Sequence, residues 1–339
     1  MQNCGIDSYH GVALAAMIEL SKTRPILVAD IGGTHARFAL AIRSGNTVAL
    51  HAQRQFLCAE ANAVQTLLHR YLESLEAPRP TQACLASAGP GDSYKRHLTN
   101  LDWWLDASEI AALCQLEQVL LVNDFEALAR GAVQPDCDMR VLSVGCARPE
   151  LPVCVIGPGT GLGVAIVAHR DAGPLCIATE AAHMAFHPVD SVERALVKTL
   201  NSSQSHVHNE LLLSGPGLER IHALLHPQDA IASAASISDG ALAGDTNCLT
   251  SVHRFLAMLG SAAGDIALAQ GARGGVMLGG GILPRWSALL ADSPFMERFC
   301  SKGAMTDYMK EIPVSLITAQ SVAERGAALL FTETQGQPV

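Results

Sequence analysis

The chain has no run of lysine or arginine, no Cys-x-x-Cys pair, no apolar stretch of membrane-spanning length and no Gly-Lys-Ser/Thr phosphate loop. Each absence removes a class of function. Its 339 residues carry 23 Lys plus Arg against 32 Asp plus Glu, a formal net charge of -9. No basic face is available for a nucleic-acid backbone. The 10 cysteines are scattered, with no cysteine–histidine cluster at zinc spacing, and are expected to be small buried hydrophobes in a reducing compartment. The first 20 residues contain no Lys or Arg, and Glu19 interrupts the apolar part from Val12 to Leu20, which is too weak for a signal peptide. No run reaches the roughly 20 apolar residues of a membrane helix. These absences lead us to expect a cytoplasmic protein with neither nucleic-acid nor membrane partners.

What is present suits a large folded chain. Hydrophobic residues make up 49% and charged ones 16%, and the mean hydropathy is +0.23, too apolar for disorder. The length predicts roughly two domains. Residues 1–24 read as an extension, helical from Val12 onward and ended by Pro25. Ile26 to Ala29, Ala36 to Ile42 and Val48 to Gln55 are strand-like runs separated by glycine turns, which predicts a three-stranded antiparallel meander. A helix is expected over Glu60 to Glu76, a strand over Ala83 to Ser87, a helix over Asp106 to Cys114 and a strand over Val119 to Val122. Asn123-Asp124 then opens a helix from Phe125 to Gly131.

A second unit starts near Leu142. Its centre, Val153 to Ile156, Gly157 to Gly163 and Val164 to Val167, repeats the strand, glycine turn and strand seen from Ile26 to Leu40. Two related α/β units follow from that repeat. Helical patterns cover Val192 to Leu200, Leu218 to Leu225, Ser251 to Ala269 and Ser321 to Phe331, and Gly274 to Gly281 is a strand entering a third glycine turn.

Three glycine loops at strand ends can each aim backbone N–H groups at an anion. The glycines from Gly157 to Gly163 recur at every second residue between two strands, unlike the G-x-G-x-x-G turn of a dinucleotide fold. That disfavours a dehydrogenase and favours an actin-like, ribonuclease-H-like ATP fold. Asp124 is a candidate general base, and by position alone equally an N-cap. Asp30, at the start of the first hairpin, is a phosphate-site or metal carboxylate, or a turn-capping Asp.

Ala29-Asp30-Ile31-Gly32-Gly33-Thr34, Leu98-Thr99-Asn100 with Trp103, Leu121 to Phe125, Gly157 to Gly163, Glu180 to His183, Leu213 to Leu218 and Gly279 to Arg285 occur in this order. In that combination the chain resembles the bacterial glucokinases of the non-ROK group, from about Ile26 to the last helix. The resemblance implies a two-lobed actin-like sugar kinase fold with mixed central sheets and a ligand cleft between the lobes. A small domain would span 25–134 plus about 318–339 and a large one 135–317. The implied reaction is phosphorylation of D-glucose at its 6-hydroxyl by ATP with Mg²⁺, releasing ADP, by a cytoplasmic homodimer.

By the same resemblance Asp124 is the base, Asn123 bonds a sugar hydroxyl, and Glu180, His183 and Glu210 contact the hexose, with Asn100 a weaker candidate. Asp30 holds Mg²⁺ mostly through water. Gly32, Gly33 and Thr34 line one side of the phosphates, Gly159, Thr160 and Gly161 the other, and Gly279, Gly280 and Gly281 the adenosine. Little is left for cationic side chains to do. Two departures stand out: His35 replaces the family's Asn, and Ala181 and Ala182 replace two glycines between the sugar-site Glu and His. Those alanines are strained if the backbone there needs φ > 0. The alternatives are another hexose kinase of the same fold and a catalytically weak sugar-binding sensor. A ROK protein would carry a Cys-x-Cys-Gly-x-x-Gly-Cys motif, which is absent.

Overall fold

The computed structural model describes residues 24–335 apart from 46, 77, 172 and 231. The expected N-terminal helix from Val12 lies outside the described residues. The chain divides into two units, one taking the described residues of Met1–Gln134 with Ser321–Val339, the other those of Pro135–Gln320.

In the first unit the apolar runs around the first glycine turn become strands β1 (Ile26–Ile31), β2 (His35–Ser44) and β3 (Thr47–Leu57), paired antiparallel as the turns dictate. Strands β4 (Gln82–Ser87) and β7 (Gln118–Asn123) then add in parallel, giving the order β3-β2-β1-β4-β7. Between them, β5 (Lys95–Leu98) and β6 (Trp103–Asp106) form a separate hairpin whose two four-residue strands are too short to announce it. The helix expected from Glu60 starts later, at Val64, after a 3₁₀ turn over Cys58–Glu60.

Period-2 alternation sorts the β1 side chains onto two faces. Leu27, Ala29 and Ile31 join Phe38, Leu67, Tyr71 and Leu85 in one buried cluster. Ile26 and Val28 join Ala39, Cys84, Ala127, Ala327 and Phe331 in the other. The second face is covered by the Asp124–Ala132 and Val322–Gln335 helices. Asp30 continues the Ile26, Val28 alternation and so falls on that helix-covered face.

The two helices approach closely enough to require a missing side chain at their crossing. A Cβ at Gly326 would overlap the Ala127 carbonyl oxygen, and one at Gly131 the Val322 carbonyl. Small residues here set the depth at which the Asp124 helix sits on the sheet.

The second unit repeats the plan. Strands β9 (Val153–Pro158), β10 (Leu162–Ala168) and β11 (Leu175–Thr179) are an antiparallel meander, and β12 (Gly275–Leu278) and β13 (Val314–Ile317) extend it in parallel. An antiparallel edge strand β8 (Met139–Ser143) completes the order β11-β10-β9-β12-β13-β8. Its core forms against the 25-residue Thr246–Gln270 helix, with Phe255, Trp286, Phe295 and Phe299 fully buried. The cysteines are more mixed than expected: Cys58, Cys84, Cys114, Cys154 and Cys176 are buried, but Cys146 is exposed and Cys137, Cys248 and Cys300 partly so. No helix among the described residues is long and apolar enough to cross a membrane.

Gly326→Ala forces the helix crossing apart and is expected to cost about 1–3 kcal/mol in urea unfolding. Gly281→Ala faces open space and is expected to stay within about 0.5 kcal/mol of the parent. Equal stability of the two variants would contradict the crossing argument.

Candidate active site

In the first unit, parallel pairing brings the carboxyl ends of three strands level: Ile31 pairs with Ser87, and Ser87 with Asn123. Sites in open α/β sheets form at such ends. Asp30 sits there opposite Arg37 across the β1–β2 hairpin, and Arg37 Nη1 donates to Asp30 Oδ2 at 3.0 Å. Burial raises the Asp30 carboxyl above its ordinary range, although the guanidinium pulls it back. Beyond it, the Gly32 to Thr34 turn is closed by the Gly32 N–H donating to the His35 carbonyl at 2.9 Å. His35 thus starts β2 and closes the turn by its backbone, whichever side chain it carries.

Asn123 ends β7 and caps the following helix, its Oδ1 accepting from the N–H groups of Phe125 at 2.8 Å and Glu126 at 3.2 Å. The N-cap is therefore Asn123, and Asp124 is the first helical residue. With Oδ1 occupied, the Asn123 amide nitrogen remains as a donor. Asp124 Oδ1 accepts from the Phe125 N–H at 2.9 Å. Burial first, and the Asp30 charge second, push its pKa up to about 7 against the pull of the Phe125 N–H and Arg96.

Three residues of this cluster escaped the sequence reading. Arg37 shows itself only through cross-strand register. Arg96, on the unannounced β5–β6 hairpin, is buried, and its Nη2 donates to the Gly89 carbonyl at 2.6 Å. Cationic side chains thus have more to do than expected: one holds Asp30 and the other lowers Asp124. Glu324, in the first turn of the last helix, is 4% exposed, and burial followed by repulsion from Asp30 pushes its carboxyl up to about 7. The Ala-rich pattern of that helix hides it. Asn100 lies on the exposed turn of the hairpin between Leu98 and Trp103.

The second unit gathers its residues at the carboxyl ends of β9 and β12. The β9–β10 turn is closed by the Gly159 N–H donating to the Gly161 carbonyl at 2.8 Å. The Gly279 N–H donates to the Ile156 carbonyl at 2.9 Å, and a Cβ at Gly157 would overlap the Gly279 backbone. The Gly215 N–H donates to the Gly159 carbonyl at 2.9 Å, which ties in the start of the Gly215–Leu225 helix, itself capped by Ser214. Two glycine turns and a helix N-terminus therefore meet, with Thr160 and Gly281 exposed. Such an arrangement of backbone N–H groups favours a polyphosphate.

Glu210 reaches the same hairpin: its Oε2 accepts from the Leu162 N–H at 2.8 Å. A Cβ at Gly161 would overlap that oxygen. Gly161 is thus glycine to admit a carboxylate, a reason the loop reading did not supply. Glu180 follows β11, whose Thr179 pairs with Val164 beside the glycine hairpin. Its Oε2 lies 3.9 Å from His183 Nε2, with both side chains more than half exposed. Between them Ala181 and Ala182 form a 3₁₀ turn and neither has positive φ. The condition under which two alanines would be strained is therefore not met.

Comparison with known proteins agrees with this architecture. The sequence model of the Glucokinase family matches residues 27–334. A glucokinase of Caulobacter vibrioides is 39% identical over 316 residues, covering 90% of this chain and 95% of that protein. The crystal structure of a glucokinase from an Antarctic psychrotroph shares 35% identity with a TM-score of 0.76, over 91% of this chain and 99% of that one. A glucokinase of Balamuthia mandrillaris, solved in complex with glucose, shares the fold at 18% identity and a TM-score of 0.77, over 95% of this chain and 99% of that one. The mixed α/β architecture is that of the actin-like sugar kinases, as the sequence predicted. With its family model spanning residues 27–334 and that degree of identity to curated members, this chain belongs to the Glucokinase family.

Proposed function

We propose that the protein transfers the γ-phosphoryl group of ATP to the 6-hydroxyl of D-glucose, with Asp124 as general base. The observation that carries this reading is the Asp124 carboxyl itself, placed at the carboxyl end of β7 on the first turn of a helix and raised to about 7 by burial and by Asp30. A base is most effective when its pKa lies near the working pH. The 6-hydroxyl gives its proton to Asp124 as its oxygen attacks the γ-phosphorus in line, and the bond to the β-phosphate oxygen breaks to leave ADP.

Asn123, fixed by its capping bonds, donates its amide to a sugar hydroxyl. Glu180, His183 and Glu210 supply the further acceptors and donors that a ring of hydroxyls requires. The backbone amides of Gly33, Thr34, Thr160 and Gly161 receive the phosphates, Gly32 and Gly159 close the two turns that present them, and Gly279 to Gly281 line the adenosine side. Asn100, on its exposed turn, is the outermost sugar contact in this reading.

A hydrated Mg²⁺ fits the first unit. Asp124 and Glu324 are both set against the charge of Asp30, a repulsion that a dication relieves. Among the described residues no group of three or more side chains forms a metal cage, so Asp30 would hold the ion through water with phosphate oxygens completing its shell. When bound, the ion would supply positive charge against the negative charge that develops on the phosphates. Family membership supports, within the same reading, a cytoplasmic homodimer, and the missing cysteine motif supports the non-ROK branch.

Asp124→Asn is expected to lower kcat by about 10²–10⁴-fold with a small change in the glucose KM. Near-normal turnover would remove Asp124 as base. Because the base must be ionised, kcat is expected to fall with unit slope as the pH drops below about 7, following the Asp124 carboxyl; a profile flat to pH 5 would contradict this. Gly161→Ala displaces the Glu210 carboxylate and is expected to raise the glucose KM by roughly tenfold, the scale of one lost charged hydrogen bond. An unchanged glucose KM would take Glu210 out of the sugar site.

A further inference from the structure

The turn that carries Glu180 and His183 is held from behind by the segment over residues 206–209. The Phe186 N–H donates to the Val207 carbonyl at 3.0 Å and the Asn209 N–H to the Met184 carbonyl at 3.1 Å, with an isolated bridge between Ala185 and His208. Two imidazoles add to this backbone pairing. His206 Nε2 lies 2.9 Å from the His183 carbonyl oxygen; a carbonyl only accepts, so this nitrogen carries the proton. The Ala182 backbone carbonyl lies close enough to the His208 ring to favour its protonated form. The consecutive carbonyls of Ala182 and His183 thus each face a histidine ring, with a hydrogen bond at His183.

These rings also crowd the sugar-site histidine. The His183 and His208 ring centres are 4.5 Å apart, and those of His206 and His208 5.9 Å. His183 and His206 are exposed, whereas His208 is half-buried and its Nδ1 is buried without a hydrogen-bond partner among the described residues. A proton added at Nδ1 would find no acceptor and two neighbouring imidazoles.

Resting on the sugar-site reading above, we propose that His206 and His208 are positioning residues for glucose. They clamp the carbonyls of the Ala181–His183 turn, hold Glu180 and His183 in place while His208 is neutral, and release the turn on acidification.

The charged groups around His208 set the sign. Desolvation lowers its pKa from the ordinary 6.5, and His183 and His206 lower it further, while Glu210 and the Ala182 carbonyl oppose them. Glu180 faces His183 from the same turn. With the pKa in the clamped form below that of a solvated imidazole, the clamp is fully present above about pH 6.5 and is lost as the pH falls through that region. Acid therefore weakens glucose binding, separately from the loss of turnover assigned to Asp124.

Steady-state rates against glucose concentration between pH 8 and 5.5 test this, on the full chain and on His208→Gln, His208→Ala and His206→Ala. In the parent protein the glucose KM is expected to rise by roughly 3–10-fold on acidification. His208→Gln keeps an amide donor and cannot charge, so its KM is expected to match the parent at pH 8 within about twofold and to stay flat on acidification. His208→Ala and His206→Ala are expected to raise KM about 3–10-fold at pH 8 with kcat retained. The parent's acid rise persisting in His208→Gln, or unchanged KM in both alanine variants, would overturn the proposal. Amide hydrogen exchange over residues 180–186 reads the clamp without activity: protection is expected to fall on acidification in the parent and not in His208→Gln. Exchange that behaves so in a protein inert toward glucose would overturn the sugar-site reading and leave the clamp standing; exchange insensitive to pH would overturn the clamp.

Discussion

The repulsion between buried carboxylates at the end of the first sheet is the constraint around which the rest is arranged. Asp30, Asp124 and Glu324 arrive there on a strand, a helix start and a second helix, and none can be ionised without cost to another. Arg37 offsets the charge of Asp30, and Arg96 acts on Asp124. The balance leaves Asp124 near neutrality, where a base for a sugar hydroxyl is most useful. In the proposed function, a cation bound at Asp30 would complete that neutralisation. The acidic character of the chain is therefore no obstacle to an anionic substrate.

Each unit then makes its contribution with little side-chain chemistry. The second relies on backbone: two glycine turns and a helix start meet through Gly157, Gly159, Gly215 and Gly279. Into the same hairpin it admits one carboxylate, Glu210, at the position where Gly161 leaves room. The shared strand order of the two sheets explains how one plan serves both purposes. A meander followed by parallel strands places a tight turn and several strand ends together, and what differs is whether polar side chains or bare amides occupy that end.

Much of this was legible in the residue order. The strand-like runs around the first glycine turn predicted the first meander and their repeat predicted the β9–β10 hairpin, though not β11, and Asn123-Asp124 predicted a helix start at a strand end. What escaped has physical causes. The β5–β6 hairpin consists of two four-residue strands, too short to show a period, which bury Leu98, Trp103 and Leu105 and are tied to the preceding turn by Arg96 and the close approach of Gly89 to His97. Glu324 lies in a helix whose periodicity signals only packing. The exchange of roles between Asn123 and Asp124 is a one-residue matter of where helical dihedrals begin. The alanines at 181 and 182 would be strained only if the backbone there needed positive φ, and the 3₁₀ turn they form does not. His206 and His208, far from the motif they support, became visible only through the carbonyls they hold.

The most direct test of the account is ADP release with Mg²⁺-ATP measured against glucose, mannose, fructose, N-acetylglucosamine and no sugar. The account predicts strong release with glucose and little without sugar. Silence across the panel, or turnover on another sugar in place of glucose, would contradict it.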